Sequence, residues 1–191
     1  GWTVSAPGGG SWMKKVRALS TIFISLALTA PAWAQVPPPG SCFVRDYDAA
    51  HLAGNPQQGV AGLALWFYEA TRGDADTASA VIRARLADQG QARAAGLGGR
   101  TLMSHHTCRQ EPGTAGAECF TECDGGVLSL HSRPDGGLEV VTERILIGTD
   151  DGGCGGTVDL AEGGARTVYR LAAAPAAACA ELSTPHPLAA P

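Results

Sequence analysis

Short apolar runs, many of them alternating between apolar and polar positions, recur along most of the chain. The first, Val60 to Glu69, carries large apolar residues on both faces of an extended strand, a pattern typical of a central strand in a packed sheet. Residues 78–87 are apolar at every second position, which favours a strand, although their alanines also suit a helix. We predict a strand there, a hairpin turn at 88–91 and a returning strand at 93–97.

The remaining strand candidates are short and are separated by turn signals. They lie at 101–109, 118–123, 127–132, 138–142, 144–148, 157–160 and 167–171. Aspartate–glycine pairs such as Asp135-Gly136 stand between several of them, and glycine reaches the positive φ that tight hairpins need. One short helical turn, capped by Asp48, is predicted at 48–54. Seven to nine short strands predict an all-β, mainly antiparallel fold, either a small β-sandwich or an up-and-down β-barrel.

The start of the chain follows a different pattern. Residues 1–12 precede the first methionine, and we expect them to be an upstream artefact or extension. Residues 13–34 combine a basic start, an apolar run and the small residues of a cleavage site, which is typical of a secretory signal peptide cut before Gln35. The apolar run is shorter than the roughly 20 residues of a membrane-spanning helix. Cleavage is therefore the favoured interpretation over a membrane anchor.

This organisation predicts where the working protein lies in the chain and in the cell. We expect a single disulfide-stapled β domain at 35–182 and a loose C-terminal tail at 183–191. Bacterial export through the signal peptide predicts a periplasmic or secreted protein with no stable membrane insertion after cleavage.

Charge narrows the expected partners. Residues 35–191 hold eleven arginines, no lysine and all eighteen acidic residues, a net charge of −7. Nucleic-acid binders normally present a basic face. No nucleic-acid partner is therefore expected.

Six cysteines add a covalent constraint. They are Cys42, Cys108, Cys119, Cys123, Cys154 and Cys179. An even number behind an export signal predicts three disulfides, for which fifteen pairings exist. We expect the two ends of the domain to be joined by Cys42 and Cys179, and a Pro-Gly-rich loop to bring Cys108 beside Cys119. Cys123 and Cys154 remain as the third pair.

Other chemistry is weighed against simpler interpretations. The weak metal candidates are His105, His106 and His131, with Glu122 or Asp124 as a further ligand. Neighbouring residues of a strand face opposite sides, so only one of His105 and His106 can share a face with His131. Such a site needs three or four ligands at fixed geometry. Ordinary surface histidines are the simpler interpretation, and we expect no cofactor.

Three further motifs have simpler structural explanations as well. Zinc would use the closely spaced Cys119 and Cys123, and a catalytic thiolate would be Cys108 beside the histidines, but disulfides account for all six cysteines. Acidic pairs suggest calcium, but aspartates that form turns account for them as well; the pairs are Asp74 with Asp76 and Asp150 with Asp151. The polar run 45–48 is either a recognition surface or, more simply, an Arg–Asp ion pair over a tyrosine.

Function follows only by elimination. The sequence lacks the G-x-S-x-G nucleophile elbow and a phosphate-binding loop. We therefore predict an exported, soluble, non-enzymatic binding or inhibitory module, with a protein or a small apolar ligand as its unknown partner and no assigned catalytic or binding residues. The alternative is a small secreted hydrolase or metal-dependent enzyme that uses His105 or His106 together with His131.

Overall fold

The computed structural model describes residues 36–69, 77–110, 116–121, 125–148 and 158–183, together with residues 1 and 3. The chain divides into two compact units at residues 31 and 32, and the five long ranges belong to the second unit. The predicted signal peptide, the rest of the upstream segment and the tail beyond Ser183 lie outside the described residues.

The described residues form nine β-strands and two short α-helices. In chain order they are β1 (Cys42–Asp46), α1 (Ala49–Gly54), β2 (Val60–Glu69), β3 (Thr77–Leu86), α2 (Gly90–Ala94), β4 (Thr101–Gln110), β5 (Ala117–Phe120), β6 (Gly126–Ser132), β7 (Leu138–Ile147), β8 (Val158–Asp159) and β9 (Thr167–Ala174). Two 3₁₀ segments, Glu162–Gly164 and Ala176–Leu182, stand before and after β9.

The strands close into a barrel. From β1 to β7 each strand pairs antiparallel with the next, and β9 pairs antiparallel with both β7 and β1. The result is a closed barrel of eight strands, with the short β8 added to the far end of β7. The predicted all-β antiparallel fold is confirmed, and of the two architectures it is the up-and-down barrel that forms.

Strand alternation fills the barrel with side chains. Inward-facing residues of all eight barrel strands join one continuous buried cluster, which includes Leu65, Phe67, Ile82, Leu130 and Tyr169. An eight-stranded barrel is just wide enough to be filled by side chains or to hold one small ligand. Here the interior cluster occupies that space.

A second, smaller apolar region explains why β2 is apolar on both faces. Its outer face is covered by the 3₁₀ segment Ala176–Leu182, which we call the C-terminal strap. Beneath the strap, five buried residues form what we call the outer cluster: Cys42, Ala64, Val81, Cys179 and Leu182. Trp66, Tyr68 and Met103 pack against its rim. The sequence interpretation of β2 as a strand covered on both sides holds, but the cover on one side is the strap.

Two of the three predicted disulfides are present. Cys42 is bonded to Cys179, and Cys108 is bonded to Cys119. The predicted partners Cys123 and Cys154 lie outside the described residues. Disulfides persist in oxidising environments, so the two bridges indicate an extracytoplasmic compartment. In the described ranges no helix has both the length and the apolarity to cross a membrane.

The predicted local structure holds at α1 and fails at α2. Asp48 caps α1 as predicted, because its Oδ1 accepts a hydrogen bond of 2.7 Å from the backbone N–H of His51. The predicted strand at 93–97 is wrong, since the chain forms α2 there and returns to the sheet only at Thr101. Gly90 begins α2 with φ of +54°, in a position where a Cβ would lie 2.3 Å from the carbonyl oxygen of Gln57. The predicted strand at 78–87 is confirmed as β3, so alternation decides the structure there despite the alanines.

Candidate functional site

Among the described residues, one end of the barrel carries both α-helices and a 3₁₀ segment. The β1–β2 and β3–β4 connections place α1 and α2 there, together with the 3₁₀ segment before β9. The side chain of Gln89 ties the loops together by donating to the carbonyl oxygens of Leu52, Asn55 and Gln58 at 2.8–3.1 Å. These bonds join the β3–β4 connection to the β1–β2 connection.

Six polar side chains converge at this helix-bearing end. They are Arg45, Tyr47, His51, Gln58, Glu162 and Tyr169, and we call them the barrel-end cluster. Three of them have shifted pKa values, since burial raises the pKa of Tyr47, of Glu162 and of Tyr169. Shifted groups gather at functional sites more often than elsewhere, which makes this cluster the candidate site.

Tyr47 is the centre of the exposed part of the cluster. The guanidinium carbon of Arg45 lies 4.9 Å from the centre of its ring. The imidazole of His51 stacks on the same ring with 4.6 Å between ring centres and 27° between planes. His51 Nε2 donates to Gln58 Oε1 at 2.9 Å, and Gln58 Nε2 donates to the carbonyl oxygen of Val60 at 2.7 Å. These contacts fix the ring stack relative to β2.

Glu162 and Tyr169 form the buried part. The hydroxyl of Tyr169 lies 2.7 Å from the carbonyl oxygen of Leu160 and 3.1 Å from Glu162 Oε1. Burial raises the pKa of Glu162, while hydrogen bonds from Tyr169 and from the backbone N–H of Val60 act against that rise. One phenolic proton serves both acceptors, so protonated Glu162 can instead donate its own proton to the tyrosine oxygen. The arrangement thus accommodates a neutral Glu162.

Arg45 differs from five other arginines of the described ranges, which are ion-paired. The pairs are Arg83–Glu181, Arg85–Asp46, Arg93–Asp88, Arg133–Asp135 and Arg170–Glu139. Within the same ranges the exposed Arg45 has no carboxylate within ion-pair distance. The predicted ion pair within 45–48 is therefore corrected. Asp46 pairs with Arg85 at 2.8 Å, although Arg45 does lie over Tyr47.

His106 occupies the barrel interior, where it is 3 % exposed. Its Nε2 lies 2.6 Å from Ser104 Oγ, and its Nδ1 lies 3.0 Å from Thr121 Oγ1. Burial, helped by the neighbouring His105, lowers the pKa of His106 to about 4. Two hydroxyls can each donate or accept, so a neutral imidazole is fully satisfied here. His106 is a structural, uncharged core histidine.

The other two predicted histidines lie elsewhere. His105 is on the outer face, with its Nδ1 3.2 Å from the hydroxyl of Tyr68. His131 directly follows Leu130 on β6. In the strand register, Leu130 lies opposite Ala117 of β5, and Ala117 lies opposite Gln110 of β4. From Gln110, His106 is four residues and His105 five residues back along β4, or about 13 Å and 16 Å at 3.3 Å per residue. The register therefore does not assemble the predicted shared site.

The metal and thiolate hypotheses find no support in the described residues. No group of three or more histidine, cysteine or acidic side chains there could hold a metal ion. Cys108 and Cys119 are bonded to each other, as the disulfide prediction has it, so neither the rival thiolate at Cys108 nor the rival zinc ligand at Cys119 is present. Cys123, Glu122 and Asp124, like the calcium candidates at 74, 76, 150 and 151, lie outside the described residues.

A groove also runs along the outer face beside the C-terminal strap. It has a volume of about 370 Å³, and the ion pairs Arg85–Asp46 and Arg83–Glu181 stand at its sides. Gly62 lies in its floor, where a Cβ would come within 2.7 Å of Asp46 Oδ1. The charges of the groove are already neutralised in pairs, so it offers a ligand less unused charge than the barrel end does.

Sequence reasoning missed His51, Glu162 and Tyr169 as members of one site. His51 stands on a helix that is more than a hundred positions away from the 3₁₀ segment and the strand that carry Glu162 and Tyr169. Only the closure of β9 onto β1 brings them together. The sequence signal that points to this site is the polar run 45–48, one interpretation of which is a recognition surface.

The comparisons with protein-family models, with curated proteins and with solved structures found no match to this chain.

Proposed function

We propose that this chain is an exported, non-enzymatic binding module that recognises a polypeptide partner at its surface. The observation that carries the proposal is the filled barrel interior. An interior packed with leucine, isoleucine, phenylalanine and tyrosine side chains leaves its space to the protein itself. This favours a polypeptide on the outside over a small apolar ligand within the barrel.

The chemistry of the buried groups supports a binder over an enzyme. Catalytic bases must reach the proton that they abstract, whereas His106 is buried between two hydroxyls. The alternative hydrolase or metal enzyme would need His131 close to His105 or His106, and the strand register argues against that.

The composition of the barrel end supports a recognition surface. Tyrosine and arginine are enriched among the residues that contribute most to binding at protein interfaces. Arg45 and Tyr47 stand together here, and Tyr47 is half-buried and so already ordered. An ordered side chain loses little conformational entropy on binding.

Export through residues 13–34 belongs to the same proposal. It is supported by the signal pattern and by the two disulfides, which an oxidising compartment maintains. N-terminal sequencing of the protein recovered from its host should begin at Gln35. A sequence that begins before Gln35 would contradict export with cleavage.

Binding itself is tested with the oxidised protein and the exported proteins of its host. A captured polypeptide is purified, titrated by calorimetry, and examined by mass spectrometry after long incubation. We expect saturable binding at a fixed stoichiometry and an uncut partner. Cleavage of the partner at a rate that falls in a His106→Gln or His51→Gln variant would overturn the proposal, as would the absence of saturable binding to every captured polypeptide.

A further inference from the structure

We propose that the guanidinium of Arg45, held on the ring of Tyr47, binds a carboxylate group of the polypeptide partner. The group is either the partner's C-terminal carboxylate or an aspartate or glutamate side chain. This inference rests on the proposed binding function and names the chemistry that the barrel end recognises.

The geometry of Arg45 suits a carboxylate ligand. Its guanidinium lies over an aromatic ring at 4.9 Å while the residue stays exposed. A guanidinium is a planar fork of N–H donors that matches the two oxygens of a carboxylate. The contact with the ring restrains the guanidinium, so less entropy is lost on binding than with a free side chain.

Arg45 has no counter-ion among the described residues. Asp46, the nearest acidic residue in sequence, is bonded across the strands to Arg85 at 2.8 Å. Glu162, which acts on Tyr47 from the other side of the cluster, is bonded to Tyr169 and to the backbone N–H of Val60. The acidic residues on either side are thus already occupied, and the charge of Arg45 remains available to a ligand.

The net charge of the protein limits the charge that the rest of the partner can have. Residues 35–191 have a net charge of −7, so a polyanion is repelled over distances of about a Debye length. A single carboxylate in a neutral or basic segment avoids that repulsion. Direct contact with one guanidinium then provides the local attraction.

The experiment uses four short acetylated peptides as probes and follows the side-chain Nε–Hε signal of each arginine by NMR. The peptides are Ala-Ala-Ala with a free C-terminal carboxylate, the same peptide amidated, amidated Ala-Glu-Ala and amidated Ala-Gln-Ala. We expect saturable shifts at Arg45 with the carboxylate-bearing peptides and none with the two uncharged ones. The carboxylate peptide that binds more tightly identifies the source, C-terminus or side chain. Equal shifts with charged and uncharged peptides would overturn the proposal.

Variants of Arg45 sharpen the test. Arg45→Gln should weaken carboxylate binding by about tenfold or more, the range of a charge-assisted hydrogen bond. Arg45→Lys should retain part of the affinity, because it keeps the charge but loses the paired geometry. Arg109 is also exposed, its guanidinium lies over the ring of Phe120 at 5.3 Å, and it has no ion pair among the described residues. Arg109→Gln, away from the barrel-end cluster, is therefore the matched control and should bind like the unchanged protein; equal losses in both variants would contradict a site at Arg45.

Failure of this inference can be told apart from failure of the binding function. If the captured partner binds Arg45→Gln and the unchanged protein equally, the carboxylate site is wrong and the binding function stands. If mass spectrometry finds the peptides cleaved, the binding function is wrong. Thermal unfolding of each variant confirms that a loss of binding is not a loss of fold.

Discussion

The described residues form two separate apolar regions, and each contains one disulfide. The barrel interior joins twenty-five buried residues and includes Cys108–Cys119. The outer cluster has five buried residues and includes Cys42–Cys179. The interior is enclosed by strand pairing around the whole barrel, whereas the outer cluster is enclosed by one seven-residue strap.

This difference shows what each disulfide does. The interior would remain enclosed without its bridge, because eight paired strands surround it. The outer cluster depends on a segment too short to be stable as an isolated helix, so the covalent bond is what keeps the strap in place. The Cys108–Cys119 bridge therefore reinforces an interior that strand pairing already encloses, whereas the outer cluster forms only because the Cys42–Cys179 bridge holds the strap.

The largest expected effect comes from removing the outer bridge. Replacing both Cys42 and Cys179 by alanine should lower the free energy of unfolding by about 5 kcal/mol, the chain-entropy value for a loop of this length, since the two cysteines are 137 residues apart. Trp66 lies at the rim of the outer cluster and is the one tryptophan of residues 35–191. Its emission should shift to the red when the strap is released. An unchanged spectrum would mean that the strap stays in place without the bond.

Acid should weaken the interior through His106. Its pKa is about 4 in the folded state and about 6.5 in the unfolded chain. Between these values the unfolded state binds more protons, so stability is complete above about pH 6.5 and falls as the pH drops towards 4. The expected loss is about 3 kcal/mol. Denaturant unfolding at a series of pH values measures it.

Two variants isolate that effect. Glu162, whose pKa is raised in the folded state, acts in the opposite direction, because its folded form binds protons more readily as the pH falls. Both the unchanged protein and His106→Gln contain Glu162, so its contribution cancels when the acid dependence of their stabilities is subtracted. His131→Gln, on the outer face, is the matched control and should retain the full acid dependence. A His106→Gln protein that loses stability in acid as steeply as the unchanged protein would contradict the assignment.

Removing the inner bridge should cost less than removing the outer one. Cys108 and Cys119 are eleven residues apart, for which the chain-entropy value is about 2–3 kcal/mol. The double alanine variant should keep the Trp66 emission of the unchanged protein, since the strap is not involved. A red shift in this variant would show that the two apolar regions are coupled rather than separate.

The sequence was informative wherever a local rule decides the structure. Alternation predicted the strands, Asp48 predicted the start of α1, and the positions of four cysteines predicted both observed bridges. It failed at α2, where a hairpin turn and a returning strand were expected; the contacts of Gln89 with the β1–β2 loop, which only the fold provides, favour the helix.

The candidate site was less predictable than the fold, for a physical reason. A strand pattern tells which face a residue occupies but not which residue of another strand stands beside it. Tyr47, His51 and Tyr169 meet only because β9 returns to pair with β1. The histidines that are adjacent in sequence, His105 and His106, are separated by the barrel wall. Neighbours in the chain thus proved less informative than the register of the sheet.

The smallest expected effect tests whether charge also holds the strap. Glu181 of the strap pairs with Arg83 of β3, and the carboxylate side chain is 67 % exposed. Exposed ion pairs contribute about 0–1 kcal/mol, so Glu181→Gln should cost no more than that and leave the Trp66 emission unchanged. Asp88→Asn, which breaks the exposed pair with Arg93 away from the strap, is the matched control. The opposite result would be that Glu181→Gln alone lowers the free energy of unfolding by more than about 2 kcal/mol and shifts the Trp66 emission to the red. That result would show that the ion pair, like the disulfide, holds the strap over the outer cluster.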